Sequence, residues 1–203
     1  MLNMPREKSS SRTDLLDNAM KAFWKIGFHV ISVSDLVRET GVSRAGIYSD
    51  HANKKELFHA CLDRYEEIVV DPLFSSVEKA DSGIEDIRAY LEALLKRFEA
   101  NPGAGIGCLV GNTFTQLTSD DDETRDKILQ FYERLTDGYR NALTNENRQD
   151  RRLSKTEIDD LASYAMISVQ GLWSYSRLTQ DSAVLRQYTE TLIVVLEMRL
   201  HGG

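Results

Sequence analysis

The chain has 203 residues, of which 41% are hydrophobic and 28% are charged, and its formal net charge is −7. This composition supports a packed core and excludes a wholly disordered chain, while the polar segment 1–12 lacks the apolar stretch of a secretory signal. Residues 1–60 contain nine Lys/Arg and seven Asp/Glu, whereas the remaining residues contain sixteen and twenty-five. Any contact with nucleic acid is therefore expected near the N-terminus.

The spacing of apolar residues predicts nine helices and no strands, so we expect an all-α fold. After a flexible arm at residues 1–11, four short helices are predicted at 12–26, 33–40, 44–50 and 54–70, the last ending at Asp71-Pro72. Five longer helices are predicted at 84–100, 106–118, 123–145, 155–178 and 182–200. The longest uncharged stretch, 161–176, is broken by polar residues, so we expect no membrane span.

The second and third helices form a helix-turn-helix pattern. Ser32 and Asp35 make a capping box for one helix, Gly41 forms the turn, and Ser43 caps the next helix. The face of residues 44–50, including Arg44, is left exposed. This arrangement is typical of a recognition helix that enters the DNA major groove.

The stretch Ser32-Val-Ser-Asp-Leu-Val-Arg-Glu-Thr-Gly-Val-Ser-Arg-Ala-Gly-Ile-Tyr48, followed by Asn53-Lys-Lys-Glu-Leu-Phe58, resembles the N-terminal signature of the TetR family. The motif covers about residues 12–62, and Gly107-Cys-Leu-Val-Gly-Asn112 resembles a segment of one subgroup. The resemblance implies an N-terminal three-helix helix-turn-helix DNA-binding domain at 12–62. It also implies a C-terminal helical ligand-binding and dimerisation domain at 63–203.

The resemblance also implies roles for single residues. Arg44 would contact a guanine edge, and Tyr48 and Lys54 would contact backbone phosphate. The other candidates for DNA binding are Ser32, Ser43, Ala45, Gly46 and Ser49. Two residues depart from the family pattern: Asp50 stands where an aromatic residue or histidine is usual, and His51 stands where phenylalanine is usual.

By the same resemblance, the C-terminal helices would enclose a cavity for a small apolar or aromatic effector. The candidate pocket residues are Phe98, Cys108, Phe114, Met166, Gln170 and Trp173. Cys108 has two interpretations: a small buried hydrophobic residue, or a thiol that senses oxidants or electrophiles because a helix N-terminus lowers its pKa.

The last two predicted helices carry apolar stripes, which predict a four-helix interface in a homodimer. The stripes are Ile158, Leu161, Ala165, Val169 and Leu172 on one helix, and Val184, Tyr188, Leu192, Val195 and Leu196 on the other.

No metal or cofactor is expected. Cys61 and Cys108 fit neither a metal site nor a disulfide framework and suit a reducing cytoplasm. The spacing Glu56-x-x-His59 is half of a di-iron motif whose second half is missing.

The leading hypothesis is a cytoplasmic, ligand-responsive repressor that binds an inverted-repeat operator in double-stranded DNA as a homodimer, without enzymatic activity. The alternatives are an all-helical enzyme or metal protein that carries a helix-turn-helix, and a regulator that activates or senses oxidants.

Overall fold

A computed structural model describes residues 8–100, 107–148, 152–179 and 181–202. Within these ranges the regular structure is entirely helical, as predicted, and one π-helical segment, Glu66–Val70, interrupts the α-helices. The ten α-helices are α1 Lys8–Ile26, α2 Val33–Thr40, α3 Arg44–Ile47, α4 Lys54–Tyr65, α5 Asp71–Phe74, α6 Ile84–Ala100, α7 Leu109–Phe114, α8 Asp122–Asn147, α9 Lys155–Tyr175 and α10 Ser182–His201.

The first four helices form a small N-terminal head around an aromatic core. Helix α1 packs on α2 and α4. The rings of Phe23 and Phe58 meet edge to face at 5.0 Å, and Phe28 stacks on Phe58 at 4.7 Å. Leu36 of α2 and Ile47 of α3 are fully buried in the same cluster. Both short helices are therefore fixed on α1 and α4 by one apolar residue each.

Two predicted boundaries in this region are wrong. Helix α1 begins at Lys8 and not at Arg12, so only residues 1–7 of the predicted arm lie outside the described ranges. Asp71-Pro72 does not end the helical segment, because the chain passes through the π-helical turn directly into α5. Pro72 lies in the first turn of α5, where its fixed φ suits the helical conformation.

The remaining helices form the body of the molecule. Helices α8 and α9 pack along each other, α6 and α10 complete the bundle, and α7 contacts α1, α4, α8 and α9. Helix α7 is shorter than the predicted 106–118 and is capped by Cys108.

Head and body share one continuous apolar core and several polar contacts. Lys55 of α4 forms ion pairs with Asp121 at 2.7 Å and with Glu123 at 3.0 Å. His59 Nε2 lies 2.8 Å from Thr124 Oγ1 on α8, and burial lowers the pKa of His59. Helix α4 thus continues past the expected boundary at residue 62 and is fixed to the body by charged and polar side chains.

Candidate nucleic-acid interface and ligand cavity

The predicted caps of the helix-turn-helix are present. Ser32 Oγ accepts from the Asp35 N–H at 3.1 Å, and the Asp35 carboxylate accepts from the Ser32 N–H at 3.0 Å. Gly41 has a φ of 69°, a left-handed conformation that favours glycine, and its N–H donates to Val37 O. These local bonds set the angle between α2 and α3.

The recognition helix α3 is a single turn. Ser43 Oγ accepts from the Gly46 N–H at 3.2 Å, and the buried side chain of Ile47 anchors the helix in the core of the head. A Cβ on Gly46 would lie 2.7 Å from Val42 Cγ1, so glycine permits Val42 to pack between α2 and α3. Gly46 therefore has a packing role in addition to its expected position at DNA.

The exposed residues of α3 and its two ends are Ser43, Arg44, Ala45, Ser49 and Asp50. Arg44 forms no ion pair with any described residue. Tyr48 is half-buried against the core and ends the helix, while the Ser49 hydroxyl donates to Gly46 O at 2.9 Å. Arg44 thus offers a full set of guanidinium donors to a partner.

Lys54 and Ser32 lie together at the start of α2. Lys54 Nζ donates to Ile31 O at 2.9 Å and lies 4.7 Å above the ring of Phe28. Partial burial lowers the pKa of Lys54. The Ser32 hydroxyl donates to Asp35 at 2.6 Å, so a phosphate contact by this hydroxyl would have to replace that bond.

The departure at Asp50 has a structural explanation. Its carboxylate accepts from Arg12 Nη2 of α1 at 2.5 Å. This ion pair offsets the acid beside the recognition helix, and it was not predicted because it joins residues 38 positions apart. His51 is half-buried.

A cavity of about 260 Å³ lies where head and body meet. Five of the six predicted pocket residues line it: Phe98, Cys108, Met166, Gln170 and Trp173. Phe114 does not line it, because its side chain points outward and is 59% exposed. The remaining lining residues are Trp24, Tyr65, Val69, Val70, Leu73, Tyr90, Leu94, Arg97, Gly107, Phe131, Tyr132, Leu135, Tyr139 and Val169.

The head also contributes to this cavity, which was not predicted. Trp24 of α1 and Tyr65 of α4 meet edge to face at 5.0 Å, and Trp24 Nε1 donates to Gly107 O at 3.1 Å. The position of Tyr132 and Tyr139, two helical turns apart on α8, was a signal in the sequence that they share one face.

Cys108 lies in the cavity wall as a protonated thiol. Its Sγ accepts from the Gly111 N–H at 3.5 Å and from the Tyr65 hydroxyl at 3.6 Å. Burial nevertheless raises the pKa of Cys108, contrary to the predicted lowering by the helix N-terminus. Cys61 is fully buried outside the cavity lining, where its Sγ donates to Leu16 O of α1 at 3.8 Å, and burial raises its pKa as well.

The predicted dimer stripes need correction. All five α9 residues of the predicted stripe are buried within the protomer, and so are Leu192 and Leu196 of α10. The apolar face that stays exposed is here called the α9–α10 face, and it keeps two residues of the predicted α10 stripe, Val184 and Tyr188. It comprises Tyr164, Ile167, Tyr175, Val184, Tyr188, Val194 and Met198, each at least 43% exposed.

The described residues contain no group of three or more His, Cys, Asp or Glu side chains placed to hold a metal ion. None of their helices is long and apolar enough to cross a membrane.

The helix-turn-helix, its exposed arginine and the helical body define a DNA-binding transcription regulator. The profile "Bacterial regulatory proteins, tetR family" matches residues 15–61, and the profile "Tetracyclin repressor-like, C-terminal domain" matches residues 83–192. The chain belongs to the TetR family.

Two curated relatives and one solved structure show the range of similar proteins. The HTH-type transcriptional repressor ComR of Escherichia coli is 34% identical over 119 residues, which are 57% of this chain and 55% of ComR. The nucleoid occlusion factor SlmA of Marinobacter nauticus is 30% identical over 173 residues, 83% of this chain and 84% of SlmA. A cysteine mutant of the regulator CifR, complexed with 26-bp double-strand operator DNA, has a TM-score of 0.75 at 21% identity, covering 97% of this chain and 99% of CifR.

Proposed function

We propose that this protein is a ligand-responsive repressor that binds an inverted-repeat operator as a homodimer in the cytoplasm. One observation carries the proposal: the cavity is lined both by the body and by Trp24 and Tyr65 of the head. A ligand in the cavity would therefore contact the two helices that position α2 and α3. The operator complex of CifR and the repressor name of ComR support the DNA partner and the sign of regulation.

DNA binding would use Arg44 for base contact, with Ala45 and Gly46 beside it in the groove. Tyr48, Ser43 and Ser49 would contact phosphate, as would Lys54 and, after rotation of its hydroxyl, Ser32. Arg44 carries the most specificity, because its guanidinium fork is exposed and unpaired among the described residues.

Dimerisation would use the α9–α10 face. Its residues on α9 recur at positions 164, 167 and 175, and those on α10 at 184, 188, 194 and 198, so each set forms a stripe along one side of a helix. Pairing two such faces across a two-fold axis would make a four-helix interface and set the spacing of the two heads.

The test is binding to DNA from the region upstream of the gene. We expect salt-dependent binding of two protomers to one inverted repeat, measured by fluorescence anisotropy and sedimentation. An effector should weaken this binding roughly 5–150-fold, and DNA should weaken effector binding by the same factor. Absence of salt-dependent binding to every inverted repeat in that region would contradict the proposal.

The alternative of an oxidant or electrophile sensor has one supporting observation: a reagent that enters the cavity can reach Cys108, whereas Cys61 is outside it. Because the pKa of Cys108 is raised, the thiolate fraction is small at neutral pH, and reaction should accelerate as pH rises. Sensing requires that peroxide releases DNA from wild type and Cys61→Ser but not from Cys108→Ser. Equal responses of all three proteins would remove this alternative.

A further inference from the structure

The helical segment that joins the head to the cavity contains an extra residue. Helix α4 runs into the π-helical segment Glu66–Val70, here called the π turn, and from there into α5 without a break. The N–H of Asp71 donates to Glu66 O, five residues back, whereas an α-helix would use Glu67 O. Such turns are rare and occur frequently at functional sites. The π turn separates the part of this segment that belongs to the head from the part that belongs to the body.

The π turn lies in the wall of the cavity. Val69 and Val70 are buried and line the cavity, as does Tyr65, the residue directly before the turn. The ring of Tyr65 meets Trp24 of the head edge to face at 5.0 Å. A molecule in the cavity would therefore press on the turn and on the aromatic contact that follows it into the head.

Arg134 of α8 contacts both ends of the π turn. Its Nη1 lies 3.2 Å from Glu66 Oε2 and 2.8 Å from Asp71 Oδ1. Its Nε and Nη2 donate to the two carboxylate oxygens of Glu78, at 2.7 Å and 2.8 Å, and this pairing fixes the direction of the guanidinium. One guanidinium nitrogen thus contacts the first residue of the turn and the residue that follows its last.

These ion pairs favour the π form over the α form. Five residues of an α-helix cover about 1.4 turns, so Glu66 and Asp71 would lie about 140° apart around its axis. In a π turn, residues five apart are one turn apart and lie on the same side. Arg134 can therefore contact both carboxylates only while the extra residue stays between them.

An extra residue can move along a helix in single steps, because each step exchanges an i+5 hydrogen bond for an i+4 hydrogen bond. A step towards α4 would transfer the Asp71 N–H from Glu66 O to Glu67 O. The same step would turn the Glu66 side chain away from Arg134 and rotate Tyr65. The number of hydrogen bonds is unchanged, so the ion pairs of Arg134 decide where the turn lies.

We propose that the π turn is a movable joint between cavity and head, that Arg134 holds it at Glu66–Val70, and that a ligand weakens DNA binding by displacing it towards α4. Only the last of these three statements rests on the proposed function. The joint itself can be tested without ligand or DNA.

The experiment is amide hydrogen exchange of the whole protein, read by mass spectrometry. Arg134→Gln removes the ion pairs that hold the turn. We expect residues 66–71 to exchange roughly tenfold faster in this variant, because local opening becomes easier, and residues 54–65 of α4 to accelerate by a smaller factor.

Arg140→Gln is the matched control. Arg140 lies on the same helix as Arg134, and its side chain is 36% exposed against 30%. It also pairs with two carboxylates, Asp137 and Asp159, but neither belongs to the π turn. The Arg140→Gln variant should exchange as wild type in both ranges.

Deletion of Glu67 tests whether the extra residue is the cause. Glu67 is exposed, and without it Glu66 and Asp71 become four residues apart. The turn should then close into regular α-helix and the protein should stay folded. No turn is left to move, so Arg134→Gln should no longer accelerate exchange there. Deletion of Asp63, an exposed residue of regular α4, should instead destabilise the head, because it rotates the flanking helix by about 100°.

Operator binding tests the link to the proposed function. Arg134→Gln should weaken operator binding by about fivefold or more in the absence of ligand, within the usual range of coupling between sites. Arg140→Gln should bind operator as wild type does, although both side chains belong to the body.

Four outcomes would overturn the inference. The first is unchanged exchange in Arg134→Gln, and the second is an equal acceleration in Arg140→Gln. The third is an acceleration that survives deletion of Glu67, or unfolding caused by that deletion. The fourth is faster exchange at 66–71 with no change at 54–65 or in operator affinity. A wild type that binds no operator would contradict the proposed function instead, and exchange at 54–65 would still decide whether the turn acts on the head.

Discussion

The head and the body of this molecule handle polar groups in opposite ways. In the head, the side chains of Ser32, Ser43 and Asn53 each accept from one N–H in the first turn of three successive helices. Arg44 is exposed to solvent. In the body, polar groups are buried: the Tyr65 hydroxyl donates to Cys108 Sγ in the wall of a cavity that is lined mostly by apolar side chains. The head thus leaves a charged side chain exposed, whereas the body pairs polar groups in its interior.

This difference separates the two candidate binding surfaces of the chain. The head depends on the rigidity of short, capped helices, which hold a cation at a fixed place. The body depends on unfilled space inside and an unpaired apolar face outside. Trp24 and Lys55 connect the two regions through a hydrogen bond to Gly107 and ion pairs to Asp121 and Glu123.

The largest expected effect is the loss of operator affinity when a substitution in the body disrupts the dimer. Ile167→Glu places a charge on the α9–α10 face, where the wild-type side chain is 64% exposed. It should yield a folded monomer whose operator affinity falls by at least 10²-fold, because one head alone loses the second half-site. Sedimentation and anisotropy measure the two effects.

Leu129→Glu is the matched control for that substitution. Leu129 is an apolar residue of α8 that is 50% exposed and lies off the α9–α10 face. The Leu129→Glu variant should remain dimeric and bind operator DNA with wild-type affinity. A monomeric wild type at micromolar concentration, or a dimeric Ile167→Glu, would show that the dimer uses another surface.

The next largest effect distinguishes base contact from phosphate contact by residues of the head. Arg44→Ala should weaken operator binding by about 1–3 kcal/mol and relax the preference at one base pair. Lys54→Ala should weaken all sequences alike and reduce the salt slope by about one. Binding titrations on operator and scrambled DNA at several salt concentrations distinguish the two. Identical losses on both DNAs for Arg44→Ala would exclude base contact by this residue.

The same contrast explains what could be predicted from sequence. Caps at Ser32, Ser43 and Asn53 act over three residues, so their chemistry is visible in a short stretch of sequence, and the structure has them as expected. The inward direction of Leu192 depends on how distant helices pack, and periodicity alone assigned it wrongly. The outward direction of Phe114 depends on the same packing, which the family resemblance did not specify. The Arg12–Asp50 pair and the contribution of Trp24 to the cavity join distant positions, which no local pattern records.

A smaller effect tests whether the shared core makes head and body unfold together. A Cβ on Gly138 would lie 2.7 Å from Phe74 Cε1, so Gly138→Ala overpacks the body and should destabilise it by about 1–3 kcal/mol. In a Trp173→Phe background, Trp24 of the head is the single remaining tryptophan. During urea unfolding, we expect Trp24 fluorescence to show the full decrease in the free energy of unfolding that Gly138→Ala causes. Leu129→Ala, at an exposed site of the same helix, should stay within about 0.5 kcal/mol of the parent. A Trp24 transition that Gly138→Ala does not move would mean that head and body unfold separately.

The smallest effect concerns the acid beside the recognition helix. The Arg12–Asp50 pair is exposed, with 65% of the Arg12 side chain and 28% of the Asp50 side chain accessible, so its contribution to stability should be at most about 1 kcal/mol.

The consequence of the Arg12–Asp50 pair for DNA binding should be visible in a double-mutant cycle. With Arg12 present, the carboxylate is largely offset, and Asp50→Asn should raise operator affinity no more than about twofold. In an Arg12→Ala background no cation offsets the carboxylate near the DNA phosphates. Asp50→Asn should then raise operator affinity by a larger factor, roughly threefold to fivefold at low salt. Low salt is needed because exposed charges are screened beyond about 10 Å at 0.1 M. Equal effects of Asp50→Asn in the two backgrounds would mean that Arg12 does not shield the acid when DNA is bound, and that Asp50 takes a position at the groove different from the one it has in the free protein.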